Sequence, residues 1–170
     1  ALVPSAIIRL NKIGLEAVVE SGAGEPAFIP DEDYAAAGAV IASVDEVYGS
    51  SDILLKVQRP SQEEAARLRQ GTMLVALLNP SGSEALLRQL ADRQVSAFAM
   101  ELVPRTTKAQ SMDVLSSQAT VAGYQAVLLG ASHLSRLLPM LTTAAGTIPP
   151  GKAFVIGAGV AGLQAIATAR

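Results

Sequence analysis

Two stretches of this chain carry residue types that could do chemistry. The first is Arg105 to Gln118, RTTKAQSMDVLSSQ, which sets an arginine, a lysine, an aspartate, two glutamines and three serines within 14 residues of a chain that is otherwise half hydrophobic. Burying such a polar island is expensive unless every donor and acceptor finds a partner, so its place between apolar runs suggests a reaction centre. The second is Ala153 to Gly162, AFVIGAGVAG, which reads as strand, Gly-x-Gly-x-x-Gly and helix. That pattern marks a turn that binds a dinucleotide pyrophosphate. Gly157 would permit the tight turn, Gly159 the approach of phosphate to backbone, and Gly162 close packing of helix on strand. Helix amides near Val160 would meet the pyrophosphate at the positive end of the helix dipole. Together the two stretches point to a nicotinamide cofactor held by the glycine turn, with the island supplying the reaction centre.

Each of these residues also has a plainer reading. Arg105 and Asp113 can form a surface ion pair worth under ~1 kcal/mol. Gln110, Ser111, Ser116 and Ser117 can be helix-capping groups. Lys56, inside the apolar run DILLKV, is either a functional amine or an edge residue reaching for solvent. His133, the only histidine, sits at a helix break and reads as structural. No Ser/His/Asp triad and no metal-ligand spacing emerges.

The elements that must position these groups alternate at short intervals. Pro4 opens a helix that Gly14 stops, and Leu15 to Val19 is a short strand followed by the turn Ser21-Gly22-Ala23-Gly24. Asp31 is expected to cap a helix over Glu32 to Ala37. Val40-Ile41 and Asp52 to Val57 read as strands, and Ser61 with Glu64 as a capping box opening a helix to Arg69. Thr72 to Leu78 and Val95 to Met100 are strands separated by a helix over Glu84 to Leu90. Beyond the island, Val121 to Leu129 and Leu134 to Leu141 have helical period, with a break at Gly130 to Ser132. Pro149-Pro150-Gly151 then leads into a strand at Ala153 to Ile156. The expected fold is α/β, with right-handed βαβ units in a parallel sheet over residues 1–148. Residues 149–170 would begin a dinucleotide-binding Rossmann domain, with Thr147 to Gly151 as the boundary. That unit ends eight residues after Gly162, short of a returning strand, so the expectation is a fragment or a sheet completed by another chain.

Composition narrows the function classes. Only 16% of residues are charged and half are hydrophobic, which excludes disorder. A net charge of −2 and the lack of a basic patch with interleaved aromatics speak against a nucleic-acid partner. From residue 101 onward two acidic residues, Glu101 and Asp113, face five basic ones, Arg105, Lys108, Arg136, Lys152 and Arg170, a mild excess suited to a pyrophosphate. There are no cysteines, so disulfides and thiolate metal sites are ruled out. No apolar run approaches the ~18–20 residues needed to cross a bilayer, so no insertion into a membrane is expected.

The stretches RTTKAQSMDVLSSQATVAGYQAVLL and LPMLTTAAGTIPPGKAFVIGAGVAGLQAIATA closely resemble the NAD(H)-binding α subunit (domain I) of proton-translocating NAD(P) transhydrogenases. ALVP, VESGAG, LLKV and FAMELVPR match that family in order, so the likeness covers essentially the whole chain. The sister family, alanine dehydrogenase, shares the fold, the lysine-bearing strand and the glycine fingerprint.

The resemblance implies a mobile loop in which Arg105, Gln110 and Asp113 hold the nicotinamide, with Ser116 further along and Thr106, Thr107 and Lys108 between. Gln110, Arg105 and Asp113 would then serve the hydride transfer itself, and Gly157, Gly159, Val160 and Gly162 the pyrophosphate. It implies NAD(H) as cofactor, with NADP(H) on a partner domain and hydride passing from NADH to NADP⁺, coupled to proton translocation. It also implies NADP(H)-binding and membrane partner subunits, a homodimer, and a peripheral place on the cytoplasmic or matrix face of the inner membrane. Alanine dehydrogenases carry a substrate-binding histidine where this chain has Leu78-Asn79-Pro80, and they lack the Arg-x₄-Gln-x₂-Asp spacing. An NAD-dependent amino-acid dehydrogenase is therefore the rival within enzymes, and a non-catalytic remnant the rival outside them. Against the family pattern, an opening strand and arginine-rich segment before ALVP are expected to be missing, as is an acidic residue for the adenosine ribose.

Overall fold

Apolar runs of four to six residues, separated by capped helices, build the parallel sheet that their composition calls for. The computed structural model describes residues 1–170 and divides into two compact units, Ala1–Val103 and Pro104–Arg170. The first unit runs α1 (Pro4–Lys12), β1 (Val18–Glu20), α2 (Asp31–Ala36), β2 (Val40–Ala42), α3 (Val44–Ser50) and β3 (Ile53–Leu55). It continues with α4 (Gln62–Arg67), β4 (Met73–Ala76), α5 (Glu84–Asp92) and β5 (Ser96–Ala99). β1 pairs with β2, and β3, β4 and β5 pair in that order, all parallel. Leu54 stands opposite Leu74, and Leu74 opposite Ala97.

Leu54, Leu74 and Ala76 bury one face of the larger sheet against Tyr48, Leu68 and Leu90. Each fully buried leucine here contributes about 2 kcal/mol of transfer free energy. A second cluster, Ile7, Ala17, Val19 and Tyr34, holds α1 and α2 to the β1–β2 pair. Ser61 and Glu64 form the expected capping box, and Ser43 with Glu46 forms a second one that opens α3. Asp31 is not the cap expected of it. It is the first residue of α2, and its carboxylate instead accepts from Ser21 Oγ (2.7 Å) and the Gly22 amide (2.9 Å), fixing the glycine-rich turn after β1.

The second unit departs further from expectation. A 3₁₀ turn over Gln110–Met112 leads into α6, Val114–His133, a continuous 20-residue helix that passes through Gly130 without a break. Leu134 to Leu141 is not helical. Pro139 lies in its middle, where it would remove a helical donor and clash with the preceding turn. The chain instead forms an antiparallel hairpin, β6 (Leu141–Thr143) with β7 (Gly146–Ile148), in which Thr142 faces Thr147. Ala153 to Ile156, expected as a strand, forms none, and it pairs with no other strand. Phe154 and Ile156 stand 90% and 89% exposed there. The unit closes with α7, Val160–Ala169. α6 and α7 meet backbone to backbone: a β-carbon on Gly123 would lie 2.2 Å from the Ala161 carbonyl oxygen. No helix of the chain is long and apolar enough to cross a membrane.

Candidate functional site

The glycine turn separates three tasks among its three glycines. Gly157 has φ +99°, a conformation that side chains other than glycine rarely adopt. Gly162 is jammed, since its β-carbon would sit 2.1 Å from the Gly157 carbonyl oxygen. Gly159 is neither strained nor crowded: its φ is −77°, and a β-carbon there meets nothing within 4 Å. It is the residue just before α7 and offers no side-chain cap. The first-turn amides of Val160 and Ala161 therefore point from a helix start with no side-chain acceptor of their own. A bare helix start behind an unobstructed glycine is the cradle that a pyrophosphate fits, and the residues present suit a dinucleotide.

The polar island lies in the same unit, and it is not buried. Arg105, Thr106, Thr107, Lys108 and Gln110 are exposed, and the loop is anchored through buried Ala109. Its backbone is a chain of tight turns, with the Ala109 amide donating to Thr106 O (3.0 Å) and the Met112 amide to Ala109 O (2.9 Å). The expensive burial inferred from the sequence is thus absent, and these five side chains make no hydrogen bond within the chain. Asp113 and Ser116 take the plainer role. The Asp113 carboxylate accepts from the Ser116 amide (2.9 Å) and the Ser116 hydroxyl (2.7 Å), capping α6. The Ser116 amide, then its hydroxyl, hold the Asp113 carboxyl below its ordinary pKa, and the charge of Arg105 adds to this. Arg105 and Asp113 make no ion-pair contact; the four ion pairs of the structure involve other residues. Ser117 Oγ donates to Asp113 O (3.0 Å), a further capping bond. His133 ends α6 with Nδ1 2.8 Å from Leu129 O, a structural place as expected.

In the first unit, Lys56 follows β3 and is neither free nor simply snorkelling. Its ammonium is paired with the Glu64 carboxylate and lies 3.3 Å from the Tyr48 hydroxyl. Burial alone would lower the Lys56 pKa; the hydrogen bonds to Glu64 and Tyr48 outweigh it, and the value is raised. Burial would raise Glu64, but Lys56 and the Ser61 amide outweigh that and lower it. A carboxylate lowered on folding stabilises the fold above its unfolded pKa and ceases to as pH falls through its folded one. The difference in Tm between wild type and Glu64→Gln is therefore expected to hold steady at neutral pH. It should shrink below about pH 4.3, the ordinary glutamate value. A difference that stayed constant down to pH 2 would show that Glu64 is not charged in the pair.

Glu101 escaped the sequence reading. It accepts from the Leu78 amide (2.9 Å) and the Asn79 amide, and so fixes the loop after β4, where Asn79 takes φ +48°. Its other oxygen is buried without a partner. The one available signal was a lone acid inside the apolar run FAMELV.

Parallel strands joined by crossover helices, with a glycine turn that opens a helix in the second unit, are the features of a dinucleotide-binding class of α/β protein. Within it, residues 1–122 match the family description "Alanine dehydrogenase/PNT, N-terminal domain" and residues 126–170 its C-terminal domain. The chain belongs to the alanine dehydrogenase/PNT family. It is 45% identical, over its full length, to an NAD(P) transhydrogenase alpha-subunit protein of Rhodospirillum rubrum, covering 46% of that protein. Alanine dehydrogenase of Mycobacterium tuberculosis is 36% identical over 97% of the chain, which covers 45% of it. The crystal structure of transhydrogenase from Sinorhizobium meliloti superposes with TM-score 0.95 at 49% identity, over 98% of this chain and 50% of that one. The chain spans about half the length of these curated relatives.

Proposed function

We propose that this chain supplies the NAD(H)-binding part of a proton-translocating NAD(P) transhydrogenase. The observation that carries the proposal is the division of labour in the glycine turn, with Gly159 open to a ligand and Gly157 and Gly162 committed to shaping the backbone. NAD(H), when bound, supplies the hydride chemistry, and the protein's share is binding, orientation and exclusion of water. The Val160 amide and its neighbours hold the pyrophosphate beside Gly159. Gln110 hydrogen-bonds the nicotinamide end, Arg105 tethers it by charge, and Thr106, Thr107 and Lys108 line the loop between them. Asp113 fixes the start of α6, so that Ser116 and the loop before it keep their geometry. The hydride acceptor, NADP⁺, is held by a partner domain, and membrane subunits couple transfer to proton movement. This places a homodimer peripherally on the cytoplasmic or matrix face of the inner membrane. In this reading the dinucleotide domain begins near residue 149, with residues 1–148 forming the domain before it.

Two features weigh against oxidation of an amino acid. The Lys56 ammonium is already engaged by Glu64 and Tyr48, and Leu78-Asn79-Pro80 offers no histidine. The full-length protein carrying this chain, mixed with its NADP(H)-binding partner, is expected to reduce an NADP⁺ analogue with NADH and to give no NADH from NAD⁺ and L-alanine. Steady alanine-dependent NADH formation would replace this reading with the amino-acid dehydrogenase.

A further inference from the structure

The first unit holds a cavity of about 290 Å³ that the dinucleotide turn does not use. Arg59, Pro60 and Gln62 line it from the segment after β3, and Ser83, Ala85 and Leu86 from the segment after β4. Both segments leave the carboxyl ends of parallel neighbours, the end of an α/β sheet at which ligands bind. The volume is at the lower edge of the roughly 300–1,000 Å³ of small-molecule sites.

Donors gather here without acceptors to match them. Ser83 is a buried polar residue, 7% exposed. Its hydroxyl accepts from Arg59 Nη1 (2.7 Å), and its own proton finds no acceptor in the chain. It does not cap α5, and the amides of Glu84, Ala85 and Leu86 are bonded to nothing in the chain. A buried donor left unpaired is costly, so this wall is built for an acceptor from outside. Arg59 adds charge. The other basic side chains from Lys56 to Arg93 are all engaged: Lys56 by Glu64, Arg67 by Asp45, Arg69 by Asp52, Arg88 by Glu84, and Arg93 by the Leu68 carbonyl. Arg59 is in none of the ion pairs and rests on a neutral hydroxyl. Glu84 is the one acidic residue of the lining, and its carboxylate, 79% exposed, is held by Arg88 (2.6 Å). The positive charge at the cavity is therefore uncompensated.

We propose that this cavity binds a terminal phosphate group. The N–H groups of Arg59 that Ser83 does not use take one phosphate oxygen, the Ser83 proton a second, and the Ala85 and Leu86 amides a third. Three oxygens in a tetrahedron meet donors arriving from a loop and from a helix start together, whereas a planar carboxylate meets only one of the two sets. The site lies wholly within the first unit and does not rest on the nucleotide reading.

Titration of the full-length protein with inorganic phosphate and with glycerol phosphate, at constant ionic strength, tests it through the backbone amide resonances. Saturable shifts are expected at Ser83, Ala85 and Leu86. Arg59 is exposed, so Arg59→Gln is expected to keep the wild-type Tm while weakening binding at least about 10-fold, and Ser83→Ala about 3-fold. Gly159→Val is expected to bind phosphate as wild type does. Saturation by either probe supports the proposal, and the tighter of the two tells a phosphomonoester from the free ion. Shifts still unsaturated at about 20 mM would mark an adventitious ion only and overturn it. So would wild-type affinity in Arg59→Gln, or saturation by acetate at the same concentrations. Displacement of phosphate by an equivalent of NADH would also overturn it, by moving the phosphate to the glycine turn.

Discussion

Gly159→Val is expected to raise the NADH dissociation constant of the full-length protein about 100-fold, ~2.7 kcal/mol, while leaving its Tm almost unchanged. The separation follows from the geometry of the turn. At φ −77° the Gly159 backbone accepts any residue, and its β-carbon would meet no protein atom within 4 Å. The added side chain therefore costs the fold little and occupies only the space that a phosphate needs in order to reach the Val160 amide. Gly162→Ala supplies the contrast. Its β-carbon would lie 2.1 Å from the Gly157 carbonyl oxygen, so the turn itself must shift, and both Tm and binding should fall. An unchanged dissociation constant in Gly159→Val would remove the dinucleotide from this turn altogether.

Gln110→Asn is expected to slow hydride transfer by about 10-fold or more, ~1.4 kcal/mol, while NADH binding stays within several-fold of wild type. A neutral amide is no acid, base or nucleophile near pH 7, so its contribution is hydrogen bonding. The Gln110 side chain is exposed and hydrogen-bonded to nothing in the chain, so shortening it breaks no hydrogen bond. Ground-state affinity comes mainly from the pyrophosphate anchor at Gly159, whereas alignment of the ring is felt in the transition state. Arg105→Ala, which removes a charged tether, should weaken binding and transfer together. Stopped-flow transfer between bound nucleotides reads the difference, and a wild-type rate for Gln110→Asn would take that residue out of the site.

The parts of the fold that were legible are those in which local chemistry and global packing agree. The Ser61–Glu64 capping box, the apolar strand around Leu74 and the glycine turn all sit where their residues placed them. The Ser43–Glu46 box that opens α3 carries the same signature and was passed over, because the short run around Val40 hid the helix behind it. Leu134 to Leu141 has a helical period but contains Pro139, and backbone sterics override periodicity. The threonines flanking Gly146 were the better signal there, for a hairpin. Of the site, the glycines were readable one by one, since each obeys a local rule. The island was not. Its composition suggested burial, but whether a polar side chain is covered depends on distant elements, and the loop lies open around buried Ala109. Asp113 and Ser116 proved to be bonded to each other, a pairing their i, i+3 spacing before an apolar helix had encoded all along.

The close crossing at Gly123 gives α6 the character of a gauge block. Asp113 fixes one end of the helix and Ala161 seizes it at Gly123. Ten residues of helix, from Val114 to Gly123, and so nine helical rises, set the span between those two fixtures at about 14 Å. No side chain intervenes at the crossing, so there is no rotamer through which the span could yield. Length along this helix is consequently quantised: one residue inserted between Asp113 and Gly123 would add about 1.5 Å and swing the loop through about 100°. Sequence drift on the outward face of α6 can thus be tolerated freely, whereas a change in its residue count over that segment cannot.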